Sequence, residues 1–318
     1  MRYPLRESFN QPEAGEAQIP GLKPGRAGVP KRDPFYEVEI DRMRDMTMFW
    51  VGGFRAMLIE GNPATGKTSF VTYWHAVLNV PLRAIACSPT TESYRLIGQM
   101  LPTADGSLRW QDGPVTIACR EGSSVLLDEW NTIDPGEATA LNMLLEGNSF
   151  TIPETGEVIE PAPTTRFFAT QNSVDSAAAV SGRNILDVAN DDRFVYLEVD
   201  YIVPDLEESI VVRSLCAGNV SKEVAVQLAK TTVTVANEVR NAFKNGVPAI
   251  EKPISTRVVL RWAKLAAMYQ KPLRAKGISG IHYAMRRAVK MPTAMAMAVN
   301  EFITATVGFD ENLKTATV

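Results

Sequence analysis

The eight residues from Gly61 to Thr68 constrain this 318-residue chain more than any other feature. They read Gly-Asn-Pro-Ala-Thr-Gly-Lys-Thr and fit the pattern GxxxxGK[ST] at every fixed position. The apolar run Ala56–Ile59 precedes them, and the helix-compatible run Ser69–Leu78 follows them. That order of strand, loop and helix is the context that the pattern requires. The segment therefore predicts a loop that joins a parallel strand to a helix.

The residue types of this loop predict that it holds a chain of phosphates. Its glycines let backbone N–H groups turn toward a phosphate, the Lys67 ammonium can reach the terminal phosphates, and the Thr68 hydroxyl can ligate Mg²⁺. The alternative is a Gly/Pro turn that binds nothing, which the flanking strand and helix make a weak explanation. We therefore expect a nucleoside triphosphate, held by Gly61, Asn62, Pro63, Ala64, Thr65, Gly66, Lys67 and Thr68.

Strand and helix signals alternate after the loop and predict an α/β fold. Strands separated by helices imply a mostly parallel sheet with helices on both faces. A β-hairpin is predicted between Phe150 and Arg166, with its turn at 154–157. The predicted strands are Leu82–Cys87, Ser124–Glu129, Arg166–Asn172 and Phe194–Val199, with a helix over Gly136–Leu145.

Composition divides the chain into three parts. Residues 1–34 contain six prolines and four glycines, which predicts a poorly ordered arm. Residues 35–203 form the predicted α/β domain. Strand signals mostly vanish after Pro204, so residues 204–318 are predicted to form a small helical domain. Its predicted helices are Asp205–Cys216, Lys222–Lys244, Arg257–Tyr269 and Ile281–Lys290.

Bulk composition indicates a globular protein of the cytoplasm. No apolar run approaches the roughly 20 residues that span a bilayer, so no membrane association is expected. The beginning of the chain lacks a charged-then-apolar secretion signal. The three cysteines lie far apart without a CxxC pair, which is typical of reduced thiols.

The net charge of −3 conceals a division between acidic and basic segments. Residues 101–210 contain 20 acidic and 5 basic side chains, whereas residues 252–300 contain 10 basic and no acidic ones. A basic run is often no more than a solvated helix face. Alternatively, the basic segment of one subunit docks on the acidic segment of a neighbour. Nucleic acid is a weaker candidate, because the chain as a whole is not basic.

Polar side chains end two of the predicted strands, where ligands of parallel sheets bind. Asp128 suits the coordination shell of Mg²⁺, and Glu129 can orient or deprotonate an attacking water. Asn172 ends the next strand and can hold that water through its amide. The alternatives are an acidic helix cap for the carboxylates and an ordinary turn residue for the asparagine.

Two arginines are further candidates for phosphate contact. Arg193 lies immediately before a strand and could reach a γ-phosphate bound to an adjacent subunit. Alternatively, Arg193 forms an ion pair with Asp191 or Asp192 and contacts no phosphate. Arg257 begins a helix in the basic segment and could report the state of the nucleotide as domain motion. Alternatively, the Arg257 side chain is simply solvated.

Together these motifs resemble the AAA+ ATPases, the P-loop NTPases with a helical lid, and within them the MoxR branch. The likeness covers roughly residues 55–308 and is greatest for the CbbQ/NirQ/NorQ group. The ATPase subunit of cobalt chelatase looks like a near relative, because it shares the type of strand end seen at Phe168–Asn172. The segments that carry the likeness to the group are Trp110–Ala118, Arg120–Gly122, Leu126–Glu129 and Ser255–Arg257.

The resemblance implies roles for individual residues. Lys67 and Thr68 would form Walker A, and Asp128 and Glu129 would form Walker B. The remaining roles would be sensor 1 for Asn172, arginine finger for Arg193 and sensor 2 for Arg257. It also implies an insert near 103–110 and a hairpin near 149–165. ATP and Mg²⁺ are the implied cofactors.

The resemblance also implies an assembly and a partner. Relatives form rings, commonly of six subunits, and remodel or activate a protein client together with a von Willebrand factor A domain protein. The chain departs from the pattern at Ala64, where many relatives carry glycine, and beside Asn172, where Gln171 and Ser173 replace the proline context of CbbQ-like chains. The Pro-rich arm also has no counterpart there. These departures affect the choice of client more than the ATPase activity.

Two other functions are compatible with the same loop. A nucleotide-gated, DNA-handling or phage-type AAA+ factor would use the basic segment 252–300 to bind nucleic acid. A small-molecule kinase would need an acceptor pocket and would have no use for Glu129 as an activator of water.

Overall fold

The computed structural model describes residues 1–173, 192–274 and 277–308. The chain divides into two compact units. The first contains residues 1–34, 38–62 and 66–200, and the second contains residues 35–37, 63–65 and those from 201 onward. The sequence placed the corresponding boundary after residue 203.

Eleven strands occur in the described residues. In chain order they are β1 (Arg2–Pro4), β2 (Gln18–Pro20), β3 (Ala56–Gly61), β4 (Leu82–Ala86), β5 (Gly98–Pro102), β6 (Leu108–Asp112), β7 (Ser124–Asp128), β8 (Phe150–Thr151), β9 (Val158–Ile159), β10 (Phe167–Asn172) and β11 (Val195–Glu198).

The described helices of the first unit are α1 (Leu5–Ser8), α2 (Ile40–Val51), α3 (Lys67–Leu78), α4 (Ser93–Ile97), α5 (Pro114–Glu121), α6 (Pro135–Thr139) and α7 (Asn142–Leu145). Short 3-10 turns occur at Pro12–Ala14 and Trp130–Thr132. The helices of the second unit are α8 (Pro204–Ala217), α9 (Lys222–Lys244), α10 (Thr256–Arg274), α11 (Gly280–Ala288) and α12 (Thr293–Val307).

A five-stranded sheet organises the first unit. Its order is β11-β3-β10-β7-β4, and every neighbouring pair is parallel. The strand before the phosphate loop, β3, therefore lies between β10 and β11. Register places Asn172 opposite Gly61 and Ala86 opposite Asp128. The ends of β3, β7 and β10 consequently share one edge of the sheet, where the functional side chains were predicted.

Helices cover both faces of this sheet. In β10, successive side chains point to opposite faces and pack against helices on each side. Phe168 packs on one face against Phe49 of α2, with ring centroids 5.5 Å apart, and against His75 of α3 at 5.1 Å. Phe167 and Ala169 join the apolar cluster on the other face, which includes α5. Side chains of a strand alternate between faces, so an apolar run becomes a strand buried on both sides. The predicted α/β class is confirmed.

The N-terminal arm differs from the sequence expectation, because residues 1–34 pack on the first unit. β1 and β2 pair antiparallel, and the Phe9 ring lies 4.7 Å from the Trp74 ring of α3. Phe9 and Ile19 are almost completely buried. The backbone N–H of Leu22 donates to the Leu78 carbonyl at 2.9 Å. A few well-placed apolar side chains therefore anchor a segment whose average composition is that of a disordered one.

Two hairpins project from the first unit. β5 and β6 pair antiparallel around the turn at 103–107, within the region where the family resemblance implied an insert. β8 and β9 form the second hairpin, and its turn contains Gly156 with φ of 71°. This positive φ suits glycine, which explains the turn that the sequence predicted at 154–157.

The second unit is helical in its described part and has its own apolar core. Trp262 of α10 is fully buried in that core, and its indole N–H donates to the Ile281 carbonyl at 2.9 Å. The fifth helix, α12, was missed by the sequence analysis, although Met295 at its start belongs to the same core. No helix in the described part of the chain combines the length and apolarity needed to cross a bilayer.

Candidate functional site

The phosphate loop runs from the last residue of β3, Gly61, to the first residue of α3, Lys67. Gly66 has φ of 89° and Ala64 has φ of 61°, so both adopt the left-handed region. Glycine reaches that region without strain, whereas a residue with a Cβ atom pays for it. Position 64 therefore favours the glycine of relatives, and the alanine here is accommodated at some cost in conformational energy.

Lys67 is held at the start of α3 by hydrogen bonds to its own loop. Its ammonium donates to the carbonyls of Gly61 and Asn62, both at 2.9 Å, and to Asn172 Oδ1 at 3.0 Å. The residue is only 7% exposed. An ammonium buried to this degree needs acceptors for its N–H groups, and phosphate oxygens could replace carbonyl oxygens in that role.

Thr68 of the loop and Asp128, the last residue of β7, are in direct contact. Thr68 Oγ1 donates to Asp128 Oδ1 at 2.8 Å, and the Thr170 hydroxyl donates to the same carboxylate oxygen. A hydroxyl oxygen beside a carboxylate is the hard-oxygen donor set that Mg²⁺ accepts while it keeps waters and phosphate oxygens. Thr68 and Asp128 therefore fit the predicted magnesium site.

Glu129 follows β7 directly with a left-handed backbone, φ of 61° and ψ of 41°. This turn ends the strand and starts the 3-10 turn Trp130–Thr132. The negative charges of Asp128 and Glu129 affect the pKa of Cys87, which directly follows β4. Burial first, and then these two carboxylates, raise the pKa of the Cys87 thiol to about 12. Cys87 is therefore a neutral thiol at physiological pH and adds no charge to the site.

Asn172 is 8% exposed at the end of β10, where its amide oxygen accepts the Lys67 hydrogen bond. Thr170, which orients Asp128, is two residues earlier on the same face of the strand. Thr170 was not among the site residues predicted from the sequence. The signal was present, since polar residues at positions i and i+2 of a buried strand point to the same side.

Arg193 forms an ion pair with Glu146, with Nε 2.8 Å from Oε1. The arginine is partly exposed, and both residues belong to the first unit. Of the two acidic residues that the sequence offered as partners, Asp191 lies outside the described residues. The arginine-finger role for Arg193 stays a prediction, because it requires the phosphate of another subunit.

Arg257 is the second residue of α10 and belongs to the second unit. Its contact with nucleotide stays a prediction. The start of that helix is held by a side chain that the sequence analysis missed. Arg240 of α9 donates through Nε to the Ile254 carbonyl at 2.8 Å.

Arg240 is also the centre of a buried group within the second unit. It makes two hydrogen bonds to the Glu207 carboxylate, at 2.7 and 2.8 Å, and its guanidinium lies 4.4 Å from the centre of the Tyr201 ring. The Tyr201 hydroxyl donates to the carbonyl of Pro63 in the phosphate loop at 3.1 Å. Within the second unit, Tyr201 and Arg240 therefore connect the Pro63 carbonyl to the Ile254 carbonyl, which lies just before the Arg257 helix.

Comparison with known proteins identifies both parts of the chain. The family model described as AAA domain (dynein-related subfamily) matches residues 56–194. The model described as CbbQ/NirQ/NorQ C-terminal matches residues 207–315. The first match contains the phosphate loop, Asp128 and Glu129, and the second contains Arg257.

Individual relatives agree with these matches. NorQ of Paracoccus denitrificans is 31% identical over 213 residues, which cover 66% of this chain and 72% of NorQ. The aerobic cobaltochelatase subunit CobS of a Sinorhizobium species is 26% identical over 265 residues, covering 80% of this chain and 77% of CobS. Midasin of Dictyostelium discoideum is 32% identical over 238 residues, but the match spans only 4% of midasin.

NorQ and CobS share most of their length with this chain, whereas midasin shares one small part of a much larger protein. The two family models lie in the order in which the α/β unit and the helical unit occur. The chain therefore belongs to the CbbQ/NirQ/NorQ group, in the MoxR branch of the AAA+ ATPases.

Proposed function

We propose that this protein hydrolyses ATP with Mg²⁺ as a subunit of a ring, and that hydrolysis remodels or activates a partner protein. One observation carries the proposal. The Thr68 hydroxyl contacts the Asp128 carboxylate at 2.8 Å, beyond the carboxyl end of a parallel strand and beside the lysine of a complete phosphate loop. Family membership supports the same reading.

Lys67 would bind the terminal phosphates of ATP. Its three present acceptors lie at 2.9 to 3.0 Å, so the ammonium would exchange these oxygens for phosphate oxygens without leaving its buried position. Backbone N–H groups at the start of α3 would add the positive end of the helix dipole. The loop would thus bind and orient the phosphate chain.

Thr68 and Asp128 would hold Mg²⁺, which neutralises the charge that develops on the phosphates. Thr170 keeps the Asp128 carboxylate oriented through its hydroxyl. Glu129 would take a proton from the attacking water, and the Asn172 amide would help to position that water. Asp128 and Asn172 end the neighbouring parallel strands β7 and β10, which brings both side chains to one edge of the sheet.

Arg193 would act on the phosphate of a neighbouring subunit, which is why a ring, of six subunits by family resemblance, is part of the proposal. A guanidinium from the neighbour stabilises transition-state charge that the subunit's own residues leave exposed. Turnover per subunit should therefore fall on dilution, as measured by phosphate release over a concentration series. Constant turnover by a demonstrated monomer would contradict the ring.

The proposed partner is a protein, engaged through a von Willebrand factor A domain protein. Support comes from the family resemblance and from the name of CobS, which is a subunit of a chelatase and so works with other chains. A small-molecule kinase would need an acceptor pocket at the same site. Glu129 beside Asp128 favours water as the acceptor instead.

The test is affinity capture from host lysate with Glu129→Gln, in the presence and absence of ATP. Loss of the base should leave ATP bound and slow its hydrolysis by about 10²- to 10⁴-fold, so that complexes with a client accumulate. Lys67→Ala is the matched control, because it should fail to bind ATP. Isolated protein of each variant is assayed in parallel for nucleotide binding and phosphate release.

An A-domain protein or another stoichiometric partner, retained only by Glu129→Gln with ATP, is the expected result. Partners retained equally by Lys67→Ala would show that capture does not depend on nucleotide. Rapid hydrolysis by Glu129→Gln would contradict the role of this carboxylate in activating water. Self-association alone, in protein that binds ATP, would contradict the remodelling function.

A further inference from the structure

A pocket of about 570 Å³ lies within the second unit, and none of its lining residues is assigned to the nucleotide site, although Arg261 follows Arg257 by one turn of α10. It is formed by the end of α11, the segment that follows it, the first turn of α12 and one side chain of α10. The lining residues include four cations: Arg261, Arg286, Arg287 and Lys290. None of its lining residues is acidic.

The positive charge of this pocket is not balanced within the chain segment that builds it. No acidic residue occurs between residues 252 and 300. Within the described residues, Arg261, Arg287 and Lys290 form no ion pair. Like charges around one pocket repel, at a cost that grows as their separation shrinks. An anionic occupant would remove that repulsion.

The arginines are held in place by neutral groups. Arg261 Nη1 donates to the Ala288 carbonyl at 3.0 Å. Arg287 donates to the Tyr283 hydroxyl at 3.2 Å, and its guanidinium lies 5.1 Å from the centre of the same ring. These contacts fix the two guanidinium groups and leave other N–H donors of each available. Less side-chain entropy is lost on binding when donors are already positioned.

We propose that this pocket binds a small anion that carries two or more phosphate groups. Four cations around about 570 Å³ match a compact ligand with several negative charges. Arginine suits phosphate because its planar fork donates two parallel hydrogen bonds. A carboxylate supplies only one negative charge, whereas one phosphate group supplies up to two, so fewer groups match the charge of this pocket.

The shape of the pocket favours a small ligand over a nucleic acid. Proteins that bind single strands combine a groove along the backbone with aromatic rings on which bases stack. The cations here surround one pocket, and the lining has no aromatic side chain. Cavities of roughly 300–1,000 Å³ are typical of small-molecule sites.

The experiment measures binding of sodium tripolyphosphate by isothermal titration calorimetry. All proteins carry Lys67→Ala, so that the phosphate loop contributes little binding and no hydrolysis occurs. The test protein adds Arg261→Gln, Arg287→Gln and Lys290→Gln. The matched control adds Lys222→Gln, Lys230→Gln and Lys264→Gln, which are exposed lysines of the same unit. Circular dichroism checks the fold of each protein.

The expected result is binding that the test substitutions weaken by about tenfold or more, while the control substitutions change it by less than about twofold. If the triple substitution fails to fold, the single substitution Lys290→Glu replaces it, since this side chain is exposed. Orthophosphate should bind at least about tenfold more weakly than tripolyphosphate, because it carries less charge. Comparable binding of ATP through the same residues would identify a nucleotide as the source of the phosphates.

Several outcomes would overturn the proposal. One is the absence of tripolyphosphate binding by the Lys67→Ala parent. Another is equal weakening by the test and control substitutions, which would indicate general charge attraction. A third is a single-stranded oligonucleotide that binds through the same residues about 100-fold more tightly than tripolyphosphate, because the site would then be one for nucleic acid. None of these outcomes depends on ATP hydrolysis, so they are separate from tests of the proposed function.

Discussion

Glu129 combines a proposed catalytic role with an unfavourable backbone conformation. Its φ of 61° places a residue with a Cβ atom in the left-handed region. Strain of this kind is retained where the position of a side chain matters more than stability. The backbone N–H of Glu129 donates to the Thr170 hydroxyl at 3.4 Å.

Because Glu129 is strained, we expect replacement by asparagine to increase stability while it abolishes activity. Glu129→Asn should raise the free energy of unfolding by about 0.5–1 kcal/mol, because asparagine tolerates the left-handed region better. Glu129→Gln retains the conformational cost and should leave stability nearly unchanged. Both should lose ATP hydrolysis. Urea denaturation and phosphate release measure the two properties, and an asparagine variant less stable than the glutamine variant would contradict the argument.

His75 predicts a loss of stability in mild acid. Burial lowers its pKa from 6.5 to about 4, although a hydrogen bond to the Val71 carbonyl opposes the shift. The unfolded chain therefore binds a proton on His75 below pH 6.5, whereas the folded chain remains neutral at that residue down to about pH 4. Folding becomes less favourable as the pH falls through this window.

His75 alone should lower the free energy of unfolding by about 2 kcal/mol as the pH falls from 7 to 5. Urea denaturation of wild type and His75→Phe at both pH values measures it, since phenylalanine preserves an aromatic ring beside Phe168. His282, whose pKa is also lowered by burial, is present in both proteins. Equal pH dependence in the two proteins would show that His75 is not responsible.

Sequence motifs predicted the residues whose spacing is fixed by local structure, and missed those that long-range packing brings to the site. Lys67 and Thr68 lie in the first turn of α3, and Asp128 is the last residue of β7. A short sequence pattern therefore identifies all three. Tyr201 contacts the loop from a position 138 residues away from Pro63. No local pattern encodes such a contact, and neither does one encode the Arg193–Glu146 pair.

At the scale of elements, a buried ion pair joins α8 to α9. Glu207 is fully buried and Arg240 is 2% exposed. A buried charge that loses its partner is costly, because the low-dielectric interior cannot solvate it. The same arginine also holds the Ile254 carbonyl before α10, so its loss would loosen three helices together.

Arg240→Met should lower the free energy of unfolding by about 3–5 kcal/mol. The double substitution Glu207→Leu with Arg240→Met should recover most of that loss, because no unpaired charge remains. Arg44→Met is the control, since the Arg44–Asp41 pair is exposed and should contribute little. Urea denaturation provides the comparison, and a double variant as unstable as the single one would contradict the account.

Elements with strong local signals were predicted well. The helix Lys222–Lys244 has the predicted bounds, and the hairpin of β8 and β9 lies where its turn residues indicated. The predicted helix Gly136–Leu145 is instead the two short helices α6 and α7. The helix α12 was missed because apolar residues occur all round it, so its sequence lacks the amphipathic period that indicates a surface helix. The arm was wrongly predicted to be poorly ordered, because proline content outweighed Phe9 and Ile19.

At the scale of the whole molecule, opposite charges are segregated along the chain. Residues 101–210 carry a large excess of negative charge and residues 252–300 only positive charge. If these segments meet between subunits of a ring, their attraction should be screened by salt. Assembly would then depend on ionic strength as well as on nucleotide.

Sedimentation velocity of Glu129→Gln with ATP tests this dependence. The ring should dissociate toward single subunits as salt rises from about 50 mM to about 500 mM, because the Debye length falls from roughly 14 Å to below 5 Å. Uncharged osmolyte at equal osmolality is the control. A ring that is equally stable at both salt concentrations would show that other contacts hold the subunits together.

The tryptophans of this chain are placed so that each unit carries its own spectroscopic label. Only one of the five, Trp262, lies beyond residue 200, and it is enclosed in the core of the helical unit. Trp130 is also fully buried and adjoins Glu129. Protein grown with 5-fluorotryptophan would give a separate ¹⁹F resonance for each ring. One NMR titration with nucleotide could therefore follow the turn at Glu129 and the helical unit simultaneously, without attachment of a further label.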